Sequence, residues 1–530
     1  MNKIKIYKKE PQVITGLCLL LTVMPVLGEK VPPIRALRKD KIGFVKVAED
    51  NWTFVDTATG KTFIPLGCNY YDASTGWPPQ VWKNFNEDRI KRDFAKMKEL
   101  EINVARVAVL TGQPWVQRVG PFQFKANEDT LVNFSKLIEI AGTYNIRLIL
   151  SQFYWEGYPR GLGNPFSDKE ALQYQEFGYR ILARLAQSEP IVFAYTLMNE
   201  PRNVWNNPAM FEKWNIWLKE KYVSRDALKD NWQDLKPAES FGSIKIPENK
   251  DNLNSPRLYD YQLFRKSIAF QWTKRMVDAI RQEDKNHLVS LGNVQWAVPF
   301  DRERLPGGYT AFDPRELTEL LDFICIHYYP FSPHHPQPLT WTSSESEDAF
   351  TDWLYSLEAF IRFSYVGKPV LLEEFNFGLT PRGKRISDPD TLMLIARWNK
   401  AVIEHTINCA SGWLSWPFQD TTTATDISNA GGLIDSKDAV KPWGKAFGDL
   451  ARSIKSKKLQ RAAGDKIMEI DEKKLLTSAN ELKKFWHNYL KLRREGITVE
   501  FSVRSPRSVR TPREDKIIPN KVNSRAGWKQ

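Results

Sequence analysis

The sequence predicts a (β/α)8 barrel on three observations: eight short apolar runs recur along the chain, longer amphipathic stretches separate them, and no Gly-rich phosphate loop follows the first run. Strand-like runs alternating with helical stretches are the pattern of repeated βα units around a parallel sheet, and eight units closing on themselves make a barrel. An open doubly wound sheet is the competing fold, and the missing phosphate fingerprint disfavours it.

Ahead of the first unit, Phe44-Val45-Lys46-Val47 and Thr53-Phe54-Val55-Asp56, followed by Thr59-Gly60-Lys61, read as a small hairpin covering the bottom of the main domain. The strand candidates are Phe63–Tyr70, Asn103–Val109, Arg147–Phe153, Val192–Asn199, His287–Gly292, Phe323–Tyr329, Pro369–Phe375 and Ser411–Phe418. Helical spacing follows in Glu87–Leu100, Asp129–Tyr144, Asp168–Gln187, Ser255–Arg281, Phe350–Tyr365, Thr391–His405 and Val440–Ile454. The fourth connection is long, from Arg202 to about Asn254, with helical spacing over Phe211–Tyr222 and a loop over Pro237–Asn254. An insertion on the C-terminal face of a barrel usually shapes the substrate cleft. Beyond Lys455 one amphipathic helix is expected, Lys473–Arg494, and from Ser502 onward Arg, Ser and Pro dominate and disorder is expected.

Apolar residues make up 42% and charged residues 26% of the 530, which is globular composition and excludes global disorder. The 19 Trp lean toward carbohydrate, because a sugar cleft uses indoles as stacking platforms. A net charge of +13 resembles a polyanion binder, but residues 451–530 hold 21 Lys+Arg against 9 Asp+Glu, which leaves only +1 on the rest. No nucleic-acid partner is expected, and envelope or polyanion contact is confined to the basic tail. Lys3, Lys5, Lys8 and Lys9 precede the apolar run Val13–Leu27, so residues 1–28 read as a secretory signal and the product as secreted or periplasmic. A membrane anchor is disfavoured because the run is short and contains Pro25. The expected organisation is signal 1–28, barrel 29–455 and a basic, partly disordered extension 456–530. Past the signal, Cys68, Cys325 and Cys409 form no disulfide framework or metal spacing.

Reacting groups of a parallel barrel sit at the C-terminal ends of strands. Two apolar runs end in acids there: Met198-Asn199-Glu200-Pro201, and Leu371-Leu372-Glu373-Glu374-Phe375. Retaining glycoside hydrolysis needs two carboxyl groups about 5–5.5 Å apart, one protonated and one ionised. Carboxylates ending strands four and seven can converge across a barrel mouth. A lone strand-end Glu more often caps a helix or pairs with an Arg, and finding two in these contexts reverses that preference.

Those two strings resemble the acid/base and nucleophile motifs of the clan of retaining β-glycosidases that includes glycoside hydrolase family 5, the cellulase and mannanase family. The likeness covers roughly residues 40–455. It implies Glu200 as general acid/base and Glu374, directly before the aromatic residue, as nucleophile. It also implies Arg106 at the end of strand two holding the nucleophile ionised, and Asn199 bonding the sugar 2-hydroxyl. His327 would contact the acid/base, Tyr329 would bond the nucleophile, and Trp416 rather than Trp413 would be the platform ending strand eight. Many members place a His near the end of strand three, whereas this chain has Ser151-Gln152-Phe153-Tyr154-Trp155, which tilts toward a manno-configured substrate. Adjacent strand residues face opposite sides, so Glu373 is expected to be structural or on the cleft rim. Arg106 is expected to lower Glu374 and leave Glu200 raised.

Trp77, Trp115, Trp155, Trp205, Trp296 and Trp341 lie in loops after strands, each as easily packed as stacked, with Trp155 and Trp296 the favoured substrate contacts. His334 and His335 lack ligand-spaced partners, and the chemistry calls for no metal or cofactor. The expected activity is retaining hydrolysis of β-1,4-mannan or β-1,4-glucan. The alternatives are an exo-acting β-mannosidase or β-galactosidase-like enzyme, which the Phe211–Trp232 insertion resembles, and a carbohydrate-binding barrel without activity.

Overall fold

Strands buried on both faces are written as continuous apolar runs, and here they close into one cylinder. The computed structural model describes residues 42–153, 159, 161–202, 206–248, 256–300, 309–330, 345–377 and 388–504. The sequence readings of residues 1–28, Trp155, Trp205, His334, His335 and Trp341, and of the tail after Arg504, lie outside the described residues.

The barrel strands are β1 (Leu66–Tyr70), β2 (Val104–Val109), β3 (Arg147–Gln152), β4 (Val192–Asn199), β5 (Leu288–Val294), β6 (Ile324–Tyr328), β7 (Val370–Phe375) and β8 (Gly412–Ser415). Each pairs in parallel with its sequence neighbour, and β8 closes on β1. Helices Glu87–Glu99, Glu128–Tyr144, Lys169–Ala186, Pro256–Glu283, Glu345–Ser364, Pro389–Thr406 and Pro442–Lys455 are set between and after them.

Inside the barrel the first layer is apolar. Val104, Ile149, Phe193, Phe323, Leu371 and Leu414 pack with Phe54 from an antiparallel sheet of Val45–Val47, Phe54–Asp56 and Thr62–Phe63. The Phe54 ring meets Phe193 at 5.1 Å and Phe323 at 5.5 Å, edge on, which plugs the bottom. Side chains on one face recur every second residue. Two or four positions along from those plugs the inward residues are therefore Arg106, Ser151, His327 and Glu373, and the interior turns from oil to charge.

Three sequence expectations change. Trp115, Trp214, Trp232, Trp272, Trp353, Trp398 and Trp413 are fully buried, so much of the Trp content fills core rather than cleft. Trp115 in particular packs edge-on against Trp82 at 4.7 Å and is no platform. The chain beyond Lys455 packs on the barrel over its described part. Lys466–Asp471 (β9) pairs in parallel with Val499–Arg504 (β10), so Ser502 to Arg504 are strand where disorder was expected. The expected single helix is two, Glu472–Thr477 and Ala479–Arg494, broken at Ser478, whose side chain caps the second by accepting from the Glu481 N–H. Phe485, Trp486, Tyr489 and Phe501 of this segment are buried against the barrel, with the Phe485 ring stacked on Phe300 at 4.9 Å.

Candidate active site

A guanidinium has five N–H donors in a fixed fork and, once buried, must find acceptors for them. Arg106, on β2, is 1% exposed and organises the barrel mouth. Its Nη1 donates to Asn69 Oδ1 at 2.8 Å and Glu374 Oε2 at 2.9 Å. Its Nη2 donates to Ser151 Oγ at 2.8 Å and Asn199 Oδ1 at 2.6 Å. Its Nε lies 3.2 Å from Glu373 Oε1, and the Phe153 ring stands 5.3 Å from its carbon. One cation thus ties together strands β1, β2, β3, β4 and β7.

His327, on β6, is fully buried between the acids. Its Nδ1 lies 3.2 Å from Glu200 Oε1 and 3.5 Å from Glu374 Oε2, while Nε2 lies 3.0 Å from Glu373 Oε2. The Tyr329 hydroxyl donates to Glu374 Oε1 at 2.6 Å, and its own backbone N–H donates to Gln295 Oε1 at 3.0 Å. Glu200, His327 and Glu374 each offer an atom within 4.8 Å of the others.

Strand alternation alone would admit one carboxylate of the Glu373-Glu374 pair, and the structure admits both. Ile326 pairs with Leu372 but His327 with Glu374, so β7 carries one extra residue opposite β6. Such a bulge re-aims side chains, commonly beside active sites. Glu373 is consequently not on the rim but in the structural one of the two places expected for it, turned inward rather than away. It is fully buried below Glu374, accepting from Thr196 Oγ1 at 2.5 Å. A second irregularity, between Leu291 and Gly292 opposite β4, accompanies positive φ at Met198 (35°) and Glu200 (45°). Left-handed backbone at non-glycine residues costs on the order of 1–3 kcal/mol each, and the fold spends it where it aims the acid.

The charge balance follows from these contacts. Burial works to raise Glu373, but Arg106, His327 and Thr196 hold it below the usual carboxylate range. Burial opposes the charged form of His327, and the Glu374, Glu200 and Glu373 carboxylates overcome it, lifting the imidazole to about 9. Burial and the neighbouring Glu200 charge raise Glu374, despite His327, Arg106 and Tyr329. Burial also works to raise Glu200, and the His327 bond and charge, with Arg202 and Arg106, bring it below its ordinary value. These directions reverse the expected raised Glu200 and lowered Glu374. At Glu374 burial and the Glu200 charge outweigh His327, Arg106 and Tyr329, whereas at Glu200 the His327 hydrogen bond and charge, with Arg202 and Arg106, outweigh burial. Two buried cations, Arg106 and His327, face three carboxylates, so a single proton on the Glu200–Glu374 pair balances the buried charge. The pair titrates as a unit.

Of the other expected contacts, Trp416 joins the site through the backbone: its N–H donates to Phe375 O at 3.0 Å and its Nε1 to Ser428 Oγ at 3.0 Å. Trp77 lies beside it, ring to ring at 6.2 Å. Trp296 has the Arg202 guanidinium over its ring at 4.2 Å, so that face already carries a cation. Asn69, Ser151, Thr196, Gln295 and Arg202 were not singled out as site residues from sequence. The signal available for Asn69, Ser151 and Thr196 was a polar residue inside an otherwise apolar barrel strand.

A parallel barrel with two strand-end glutamates facing one another across its mouth has the architecture of a glycoside hydrolase. Residues 57–419 match the family model for cellulase, glycosyl hydrolase family 5, and the chain belongs to that family. It is 26% identical over 193 residues to mannan endo-1,4-beta-mannosidase A of Podospora anserina, a match spanning 34% of this chain and about half (46%) of that protein. Among solved structures, an exo-beta-1,4-mannosidase of Opitutaceae bacterium strain TAV5 superimposes with TM-score 0.59 at 17% identity, covering 86% of this chain and 72% of that one. A GH5_18 protein of Streptomyces cattleya, solved with Manβ1-4GlcNAc, gives 0.59 at 15% identity over 83% and 94%. The beta-galactosidase of Rahnella sp. R3 gives 0.65 at 14% identity over 83% and 65%. These likenesses show the shared fold.

Proposed function

We propose that this glycoside hydrolase cleaves β-1,4-linked, manno-configured glycans with retention of anomeric configuration, Glu200 acting as general acid/base and Glu374 as nucleophile. The observation that carries this reading is the approach of the two carboxyl groups, with oxygens within 4.8 Å. Retaining enzymes hold their carboxyls about 5–5.5 Å apart, whereas inverting ones leave about 6.5–9.5 Å for a water. The manno preference is supported by the lack of a His in Ser151-Gln152-Phe153-Tyr154-Trp155 at and after the end of β3, and by the mannosidase names among the relatives. Asn199, fixed by Arg106, faces the position of a sugar 2-hydroxyl in this reading, and Trp416 floors the cleft.

Exo action is the second reading. The long fourth connection folds into helices Pro208–Tyr222 and Arg225–Asn231, additional mass after β4 whose Trp214 packs on Phe264 of helix Pro256–Glu283 at 5.3 Å, and long connections at this end of a barrel can close one end of a cleft. A product profile on mannan, cellulose, xyloglucan and aryl β-glycosides decides among these. Mannose released singly supports exo action and mixed oligosaccharides support endo action. A first-formed product of inverted anomeric configuration, read by proton NMR, would overturn retention.

The Tyr329 hydroxyl donates to a carboxylate, an interaction of about 1.5–3 kcal/mol. Tyr329→Phe is expected to lower kcat about 10- to 100-fold with little change in melting temperature, measured by steady-state kinetics on an aryl β-mannoside.

A further inference from the structure

Glu373 is a fully buried carboxylate inside an enzyme whose proposed chemistry needs only two, and its surroundings are built around it. Thr196 of β4 donates to one oxygen, His327 of β6 contacts the other, and Arg106 of β2 stands beside the first. On β5, Gly292 leaves room: a Cβ there would come within 3.3 Å of both Glu373 Oε2 and Arg106 Nη2. Four strands thus converge on a group that no substrate can reach.

We propose that Glu373 is a positioning residue that holds His327 as an imidazolium with Nε2–H directed at Glu373, so that the Nδ1–H serves the two catalytic carboxyl groups in turn. This rests on the reading of Glu200 and Glu374 given above. In the first step, with the one proton of the pair on Glu200 and Glu374 ionised, Glu200 gives that proton to the glycosidic oxygen. The bond from that oxygen to the anomeric carbon breaks, with its electron pair going to the oxygen, and a Glu374 oxygen forms a new bond to the anomeric carbon. One negative charge leaves Glu374 and one appears on Glu200. His327 Nδ1 lies 3.5 Å from Glu374 Oε2 and 3.2 Å from Glu200 Oε1, so one N–H faces both ends of that charge transfer. With Nδ1–H so used, an unprotonated Nε2 would set its lone pair against the Glu373 carboxylate 3.0 Å away, so Nδ1 and Nε2 are protonated together, and the carboxylate at Nε2 is what favours that state. Carboxylate, imidazole and acid form a chain of the kind that orients histidine in other hydrolases.

The groups facing His327 are Glu373 and Glu374 from β7, Glu200 after β4 and Arg106 from β2. Cys325, on its own strand, interacts with Glu373, and Tyr329 bonds Glu374. Arg106 opposes the imidazolium, and the three carboxylates outweigh it.

The test uses the full chain labelled with 15N-histidine, with the His327 signals assigned through His327→Gln. In the parent protein His327 is expected to remain doubly protonated at pH 7.5 and to titrate near 9. A neutral ring at pH 7.5 would overturn the proposal even if no variant folds. In Glu373→Gln, which keeps the shape and removes the charge, the His327 titration and the alkaline limb of kcat are both expected to fall by about one to two pH units. KM is expected to hold, and Glu373→Asp to recover part of the shift. Titration and profile that superimpose on the parent overturn the proposal. A titration that moves in a protein without β-glycosidase activity overturns the functional reading while the Glu373–His327 coupling stands, and hydrolysis with an unmoved titration does the reverse.

Discussion

Glu374→Ala is expected to lower kcat on β-glycosides by on the order of 10⁴–10⁶-fold, as removal of a covalent nucleophile does in other hydrolases. The barrel should survive the change. Arg106 loses one acceptor and keeps Asn69, Ser151, Asn199 and the Glu373 charge, so the buried cation is not stranded. Glu200→Ala is expected to cost as much on natural substrates and far less on aryl glycosides with good leaving groups, which need no proton. Azide separates the two roles. In Glu374→Ala it fills the space left by the nucleophile and gives a glycosyl azide of inverted configuration. In Glu200→Ala the glycosyl-enzyme still forms from an activated substrate, and azide attacks it to give the retained product. Both products are read by NMR of the isolated azide. Full turnover in either variant, or the same anomer from both, would refute the assignment.

What the sequence makes legible follows from which physical signal each element carries. The eight barrel strands are buried on both faces and stand out as apolar runs, and the polar residues ending them, Arg106, Asn199, Glu200, His327 and Glu374, converge as expected. The hairpin Val116–Gly120 with Gln123–Ala126 went unread because nearly all its residues are exposed or half-buried and show no apolar alternation. Strand Lys466–Asp471 is hidden for the same reason, with Ile470 its one buried residue. Ser478-Ala479-Asn480-Glu481 carries a capping signature for the start of the last helix, which the expectation of a single helix over Lys473–Arg494 passes over. Glu373 eluded the alternation rule because a bulge depends on register against the neighbouring strand, which only the closed barrel defines. The charge balance over Glu200 and Glu374 is not legible for a related reason. Arg106 is visible as a strand-end charge, but the burial of Glu374, its approach to Glu200 and the His327–Glu200 contact exist only in the closed barrel.

Truncation after Lys455 is expected to destabilise the catalytic barrel severely, although every residue of the proposed site lies before that point. The segment removed includes Phe485, Trp486, Tyr489 and Phe501, all buried, and each fully buried apolar side chain contributes about 1.5–3 kcal/mol. Together these approach the 5–15 kcal/mol net stability of a typical domain, even after release of the segment's own chain entropy offsets part of the loss. The surface left behind is apolar: Phe300 loses its stacked partner Phe485 and stands beside Phe363 at 4.9 Å. Charge pairing is lost as well. Arg493 and Arg494 reach Glu358 and Asp352, and Lys266, 5% exposed, loses its bond to Glu472 while keeping Asp313 and Glu316. The consequence reaches the cleft, because Trp486 Nε1 donates to Phe300 O at 2.8 Å on the connection after β5 that begins with Gln295, the acceptor for the Tyr329 N–H. The truncated chain is expected to be insoluble or to melt well below the full chain. Trp486→Ala should cost about 3–5 kcal/mol by itself, read by calorimetry or denaturant titration. A truncated protein that melts within a few degrees of the parent at full activity would show that residues 456–530 are dispensable to the barrel.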